Sequence, residues 1–100
     1  MDKRDIAPIH PGEILLEDFL KPMKIDQNLL AESISIPLSH VNKIVHGQEN
    51  VTADIALRLG RFFDMEAQFW LNLQTRYDLE VAKEILSDRL EKEVKVCSSF

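Results

Sequence analysis

"DQNLLAESISIPLSHVNKIVHG", residues 26–47, decides how this chain folds. Asp26 is a suitable N-cap for a short helix in which Leu30, Ala31 and Ile34 face inward and Gln27 stands exposed in the first turn. Pro37 then pushes Ile36 out of the helical region and can itself occupy the first turn of a following helix. That second helix carries Leu38, Val41, Ile44 and Val45 at helical spacing, with Ser39, Asn42, Lys43 and His46 on the opposite side at i, i+3, i+4 and i+7, and Gly47 ends it as a C-cap. Two helices crossing at roughly 90–120° after a tight turn approach closely only where the crossing point is small. Ala31 supplies that clearance, Ile34, Val41 and Ile44 fill the angle, and Ile36 buries the turn. The pattern is a helix-turn-helix, and its second helix has the right diameter for a DNA major groove.

Working outward, "HPGEILLEDFLKPM" precedes this unit, with Pro11 near a helix start, Ile14, Leu15, Phe19 and Met23 as an inward stripe, and Pro22 near the end. After the unit, "QEN" reads as a loop, and Thr52 can cap "ADIALRLGRFF", in which Ile55, Leu59 and Phe63 point inward and Arg58 and Arg61 outward. Gly60 weakens that helix by about 1 kcal/mol relative to alanine and reads as a close-packing point rather than a stop. From Glu66 no Pro or Gly interrupts the apolar series Phe69, Trp70, Leu73, Tyr77, Val81, Ile85, Leu86 and Leu90, so the segment is one long helix or two end to end. No strand pattern, internal repeat or low-complexity segment stands out. The chain is therefore expected to be all-α, with an N-terminal extension at residues 1–8, one helical domain over 9–95 and a frayed tail at 96–100.

One hundred residues with 45% hydrophobic content suffice for one modest core. The absence of an apolar run of about 18 residues and of a signal-like N-terminus leads to the expectation of a cytoplasmic protein without membrane contact. A single cysteine, Cys97, excludes an intrachain disulfide and a zinc cluster. His40 and His46 would stand about 120° apart on a helix with no third ligand near in sequence, so neither metal nor cofactor is expected. No Gly-rich phosphate loop and no serine with an assignable base is present, and an enzyme is not expected. The net charge of −5 opposes DNA at long range. Residues 1–50 carry five Lys/Arg against eight Asp/Glu, and residues 51–100 seven against nine, so any field favouring DNA must be local.

Taken in order and spacing, "HPGEILLEDFLKPM", the helix-turn-helix, "VTADIALRLGRFF" and "FWLNLQTRYDLEVAKE" resemble the HigA antitoxins of the Cro/C1-type (XRE) helix-turn-helix family, also labelled virulence-associated protein I. The resemblance covers roughly residues 9–84. It implies a compact five-helix, lambda-repressor-like DNA-binding domain with an extended C-terminal helix. It also implies a homodimeric repressor that binds double-stranded operator DNA at its own promoter, and an antitoxin of a type II module that neutralises a HigB-like, ribosome-dependent mRNA endonuclease.

Carried over position by position, the resemblance makes Leu38, Ser39 and Lys43 the first candidates for base edges, with His40 and Asn42 beside them. Ser39 can donate or accept, Lys43 can reach guanine acceptors, and Leu38 can meet a thymine methyl. Gln27, His46 and Thr52 would hold phosphate, two of them beside helix N-termini that favour anions. The stripe Phe69, Trp70, Leu73 and Tyr77 is expected as core or dimer interface. A two-fold dimer would set its reading helices about 34 Å apart on a palindromic operator. Two positions depart from the family pattern. Ser35 stands where glycine is usual, at a cost on the order of 1 kcal/mol for a left-handed backbone, so the turn is expected to differ slightly. Glu49 replaces a phosphate contact in the "QEN" loop, which should flatten the salt dependence by about 0.9 log units per log unit of salt. That loop and the acidic charge motivate an alternative reading, a protein-binding toxin neutraliser with weak or no DNA binding.

Overall fold

The computed structural model describes residues 7–97. Most of the expected extension at 1–8 and the last three residues of the expected tail lie outside them. The described residues form six helices: α1 over residues 11–23, α2 Gln27–Ile34, α3 Leu38–Val45, α4 Ala53–Phe63, α5 Ala67–Leu86 and α6 Arg89–Glu93. The apolar segment after Glu66 is thus two helices rather than one, because Ser87 adopts φ 47° and ψ −129° and ends α5.

His10, Pro11 and Gly12 start α1 by three different means. His10 Nδ1 accepts the Gly12 N–H at 2.9 Å as an N-cap. Pro11 fills the first turn, where its missing N–H is no loss. Gly12 lets the helix start rest on the end of α3, since a Cβ there would lie 1.7 Å from the Ile44 carbonyl oxygen. Further along, Leu15–Leu20 form a π-helical turn, with the Lys21 N–H bonding the Leu16 carbonyl. This i→i+5 pattern shifts the phase of the helix. Leu15 and Leu20 consequently become the buried pair at 2% exposure each, whereas Met23, expected inward, is 54% exposed.

Four helices end in the same way. Lys24, Ser35, Gly47 and Asp64 have φ of 56°, 58°, 74° and 54°. The N–H of the following residue reaches back five positions: Ile25 to Leu20 at 2.9 Å, Ile36 to Ala31 at 3.0 Å, Gln48 to Lys43 at 2.8 Å and Met65 to Gly60 at 2.8 Å. These are Schellman closures, three of them without glycine, each of those costing about 1–2 kcal/mol in backbone strain. Ile25, Ile36 and Met65, which follow the three non-glycine residues, pack against the core and offset that cost. Ser35 therefore takes the left-handed conformation a glycine would take, and the tight turn between α2 and α3 is retained.

Leu30, Val41, Ile44, Ile55 and Leu59 form the centre of the core, and Trp70 closes it at 0% exposure. The indole lies among Phe19, Phe69 and Phe63, with ring centroids at 5.0, 5.1 and 6.1 Å. Truncating such a residue to alanine costs about 3–5 kcal/mol. Of the two places expected for Trp70, core or dimer interface, it takes the core, because it has no surface to offer another chain. Phe69 keeps exposed area, and Leu73 and Tyr77 are half-buried. Gly60 behaves as a close-packing point, since a Cβ there would stand 2.7 Å from the Met65 carbonyl oxygen at the α4–α5 junction. Beyond Leu79 the apolar residues Ile85 and Leu90 remain exposed.

Candidate nucleic-acid interface

Helix α3 divides cleanly. Val41, Ile44 and Val45 are buried, and Ser39, Asn42, Lys43 and His46 are exposed. Spacing groups Leu38 with the apolar face, yet it is 44% exposed. It joins Ser39, Asn42 and Lys43 in lining a shallow concavity whose other walls are Gln27 and Asn28 of α2 and Gln48. Four of the five base-edge candidates and one phosphate candidate are thereby brought to one patch, with His40 half-buried beside it.

The phosphate candidates differ in what they still have to give. Gln27 is half-buried rather than exposed, because its Oε1 accepts the Asn42 Nδ2–H at 3.2 Å and ties the start of α2 to α3. The Asp26 carboxylate already caps that helix end, accepting the Leu29 N–H at 2.8 Å, and its charge makes the position less favourable to an anion. Thr52 Oγ1 accepts the Ile55 N–H at 3.3 Å, which leaves its hydroxyl proton available at the positive end of α4. His46 Nδ1 lies 2.7 Å from the Asn42 carbonyl oxygen and is committed to ending α3.

Two further residues, Arg58 and Gln74, shape this surface without having been singled out by the sequence for the role, and Glu49, read there as a lost phosphate contact, is a third. Arg58, expected to point outward, donates from Nη1 to the Ile34 carbonyl at 2.7 Å and from Nε to Asp54 at 2.6 Å, bracing the end of α2 against α4. Gln74 is buried on α5; its Oε1 accepts the Val51 N–H at 2.7 Å, and its Nε2 donates to Asn50 at 3.2 Å and to Asp78 at 2.8 Å. The loop after α3 is thus anchored from the far helix. One signal for this was present: Gln74 stands at i+4 from Trp70, a polar amide inside an apolar stripe. Glu49 turns back toward α3, where its Oε2 meets His40 Nε2 and its Oε1 lies 3.8 Å from Lys43 Nζ.

His10 supports the same loop from below. Its ring packs edge-on to Tyr77 at 4.9 Å, and a Cβ at Gly47 would lie 3.6 Å from its Cγ. Burial holds the imidazole below its ordinary pKa of 6.5, opposed by the Glu49 backbone and the Asp78 and Glu13 carboxylates, which favour the cation. Among the described residues no helix is long and apolar enough to cross a membrane.

No family model matches the chain. It is 49% identical over 82 residues to virulence-associated protein I of Dichelobacter nodosus, covering 82% of this chain and 76% of that protein. It is 34% identical over 79 residues to antitoxin HigA-1 of Vibrio cholerae, covering 79% and 74% respectively. The solved structure of Pseudomonas aeruginosa antitoxin HigA with the higBA promoter is similar at a TM-score of 0.86 and 44% identity, over 89% of this chain and 97% of that one.

Proposed function

Because the chain belongs to the HigA-type antitoxins of the helix-turn-helix regulators, we propose that α3 enters the major groove of an operator at the protein's own promoter. The protein is a DNA-binding transcriptional repressor of antitoxin type. Leu38, Ser39 and Lys43 meet base edges in this reading, with His40 and Asn42 beside them. The observation that carries it is the exposed face of α3, a patch of short hydrogen-bonding groups and one lysine, held at a tight turn with Ser35 left-handed. Thr52, His46 and Gln27 flank that patch and contact phosphate, Thr52 with the strongest claim because its hydroxyl proton is uncommitted at a helix N-terminus.

The operator-bound species is a homodimer, supported by the surface that Phe69, Leu73 and Tyr77 retain, with reading helices about 34 Å apart. Its protein partner is a HigB-like mRNA endonuclease toxin, and the protein acts in the cytoplasm, where the promoter is. Fluorescence-anisotropy titration onto the promoter and onto a scrambled duplex at two salt concentrations tests the reading. Preference for the promoter that weakens with salt is the expected result. Equal binding to both duplexes at both salts would instead leave α3 as a protein-facing surface and favour a toxin neutraliser that does not read DNA.

A further inference from the structure

We propose that Glu49 is a specificity-determining residue, forming with Lys43 a donor–acceptor pair that reads one G·C base pair in each half-site. The proposal rests on α3 being the reading helix. Lys43 donates to guanine O6 or N7, and Glu49 accepts from the cytosine N4 amino group.

The position of Glu49 is built rather than incidental. Gly47 at φ 74° and the Gln48 N–H bond to the Lys43 carbonyl fix the chain immediately before it. Gln74 fixes the chain immediately after it through Asn50 and Val51. Between these anchors the side chain turns toward α3 and is half-buried. His40, three residues before Lys43 and so one turn away, contacts one carboxylate oxygen through Nε2. With the proton on Nε2 it donates to Glu49 and acts as a positioning residue. Lys43 lies 3.8 Å from the other oxygen, so the ammonium keeps donors and the carboxylate keeps lone pairs for a third party.

A carboxylate at a DNA-facing surface lowers affinity for every duplex through repulsion of phosphate. Paired with a lysine it also presents an acceptor beside a donor, the complement of what a G·C pair offers in the major groove. Changing that pair to A·T leaves the purine N7 acceptor but reverses the matches at guanine O6 and cytosine N4. Adenine N6 brings a donor toward the lysine where guanine O6 was an acceptor, and thymine O4 brings an acceptor toward the carboxylate where cytosine N4 was a donor. On non-operator DNA Lys43 is already locally neutralised and adds little to phosphate attraction. Glu49 therefore widens the gap between operator and background.

The test compares wild type with Glu49→Gln on the promoter, on a scrambled duplex and on a set of promoters each carrying one symmetric G·C→A·T change. Glutamine is close in shape but can pair with adenine as well as accept from cytosine. Wild type is expected to lose about 5- to 150-fold per half-site at one G·C position, so the symmetric change costs about the square of that factor. E49Q is expected to lose much less there, to keep the wild-type penalties elsewhere and to bind the scrambled duplex more tightly. His40→Ala should move the penalty at that one position toward that of E49Q, and His40→Gln, which keeps a donor, should restore it there. If E49Q tightens promoter and scrambled duplex by the same factor with every base-pair penalty unchanged, Glu49 only repels phosphate and the proposal is overturned. If wild type itself shows no promoter preference, the operator reading fails and takes this proposal with it, a result distinct from the preceding one.

Discussion

The backbone N–H of Val51 donates to Gln74 Oε1 at 2.7 Å, joining residues 23 apart in sequence inside the protein. A helix whose other inward residues belong to the aromatic core thereby sets the path of the loop that leads from the candidate reading helix to the Thr52 cap. Core packing and the candidate interface are consequently one mechanical unit.

Replacing Gln74 with leucine keeps the volume roughly constant but leaves the buried Val51 N–H without a partner. The expected cost is about 1–3 kcal/mol of stability, visible as a lower urea midpoint. Promoter affinity should fall as well under conditions where circular dichroism shows the helices intact. An unchanged midpoint would mean that water or a shifted loop satisfies the N–H and that Gln74 does not hold this segment.

Gly12→Ala forces a Cβ to a point 1.7 Å from the Ile44 carbonyl oxygen, a backbone atom that no rotamer change can move. Helix α1 must then lift off α3, and the expected loss is about 3 kcal/mol or more. For a domain of this size that is a fall in Tm of about 4–8 °C per kcal/mol. A melting curve within a degree of wild type would contradict the close approach of α1 to α3.

Ser35→Gly should stabilise the protein by about 0.5–1 kcal/mol, because relief of the left-handed strain exceeds the added entropy of glycine in the unfolded chain. The same change tests whether strain at the turn matters to DNA. Affinity for the promoter should be unaltered, since the backbone already has the glycine-like conformation. A loss of stability on this substitution would show that the Ser35 side chain makes a contribution larger than the strain.

The buried His10 gives a pH dependence of definite sign. Its folded-state pKa lies below the ordinary 6.5, so as pH falls the unfolded chain takes up the proton first. The contribution to stability is complete above 6.5, declines as pH drops below it, and levels off once the folded imidazole is also protonated. Protonation at Nδ1 also removes the acceptor for the Gly12 N–H. His10→Asn, which keeps a capping acceptor, should flatten the stability profile below about pH 6.5 relative to wild type. Parallel profiles for the two proteins would show that His10 does not carry the pH dependence.

Lys43→Ala should lower promoter affinity by about 1–3 kcal/mol while leaving the melting temperature and toxin binding unchanged. Lys43 is exposed and contributes nothing to the core. Unaltered affinity would remove it from the reading set and with it the pairing proposed for Glu49.

The helix-turn-helix was legible because its signals are local. Asp26 and Thr52 cap helices through N–H groups three residues away, Pro37 restricts its own neighbour, and Gly47 closes the helix that precedes it. The polar face of α3 follows from a period that needs only the residues of that helix. By contrast, the choice of Leu20 over Met23 depended on a π-helical turn in a helix that rests on α3 at Gly12, and no spacing rule signals such a turn. The break at Ser87 likewise falls where neither glycine nor proline stands.

What the sequence by itself determined is the first four helices, the caps at Asp26, Gly47 and Thr52, and the face of α3 left to solvent, since each depends on interactions within a turn or two of chain. Tertiary structure alone decided that Trp70 lies in the core, that Gln74 reaches Val51, that Arg58 reaches Ile34 and that Glu49 turns onto His40 and Lys43. Those outcomes depend on side chains from separate elements meeting in space, and a polar group's partner is settled only when the helices that carry it have packed.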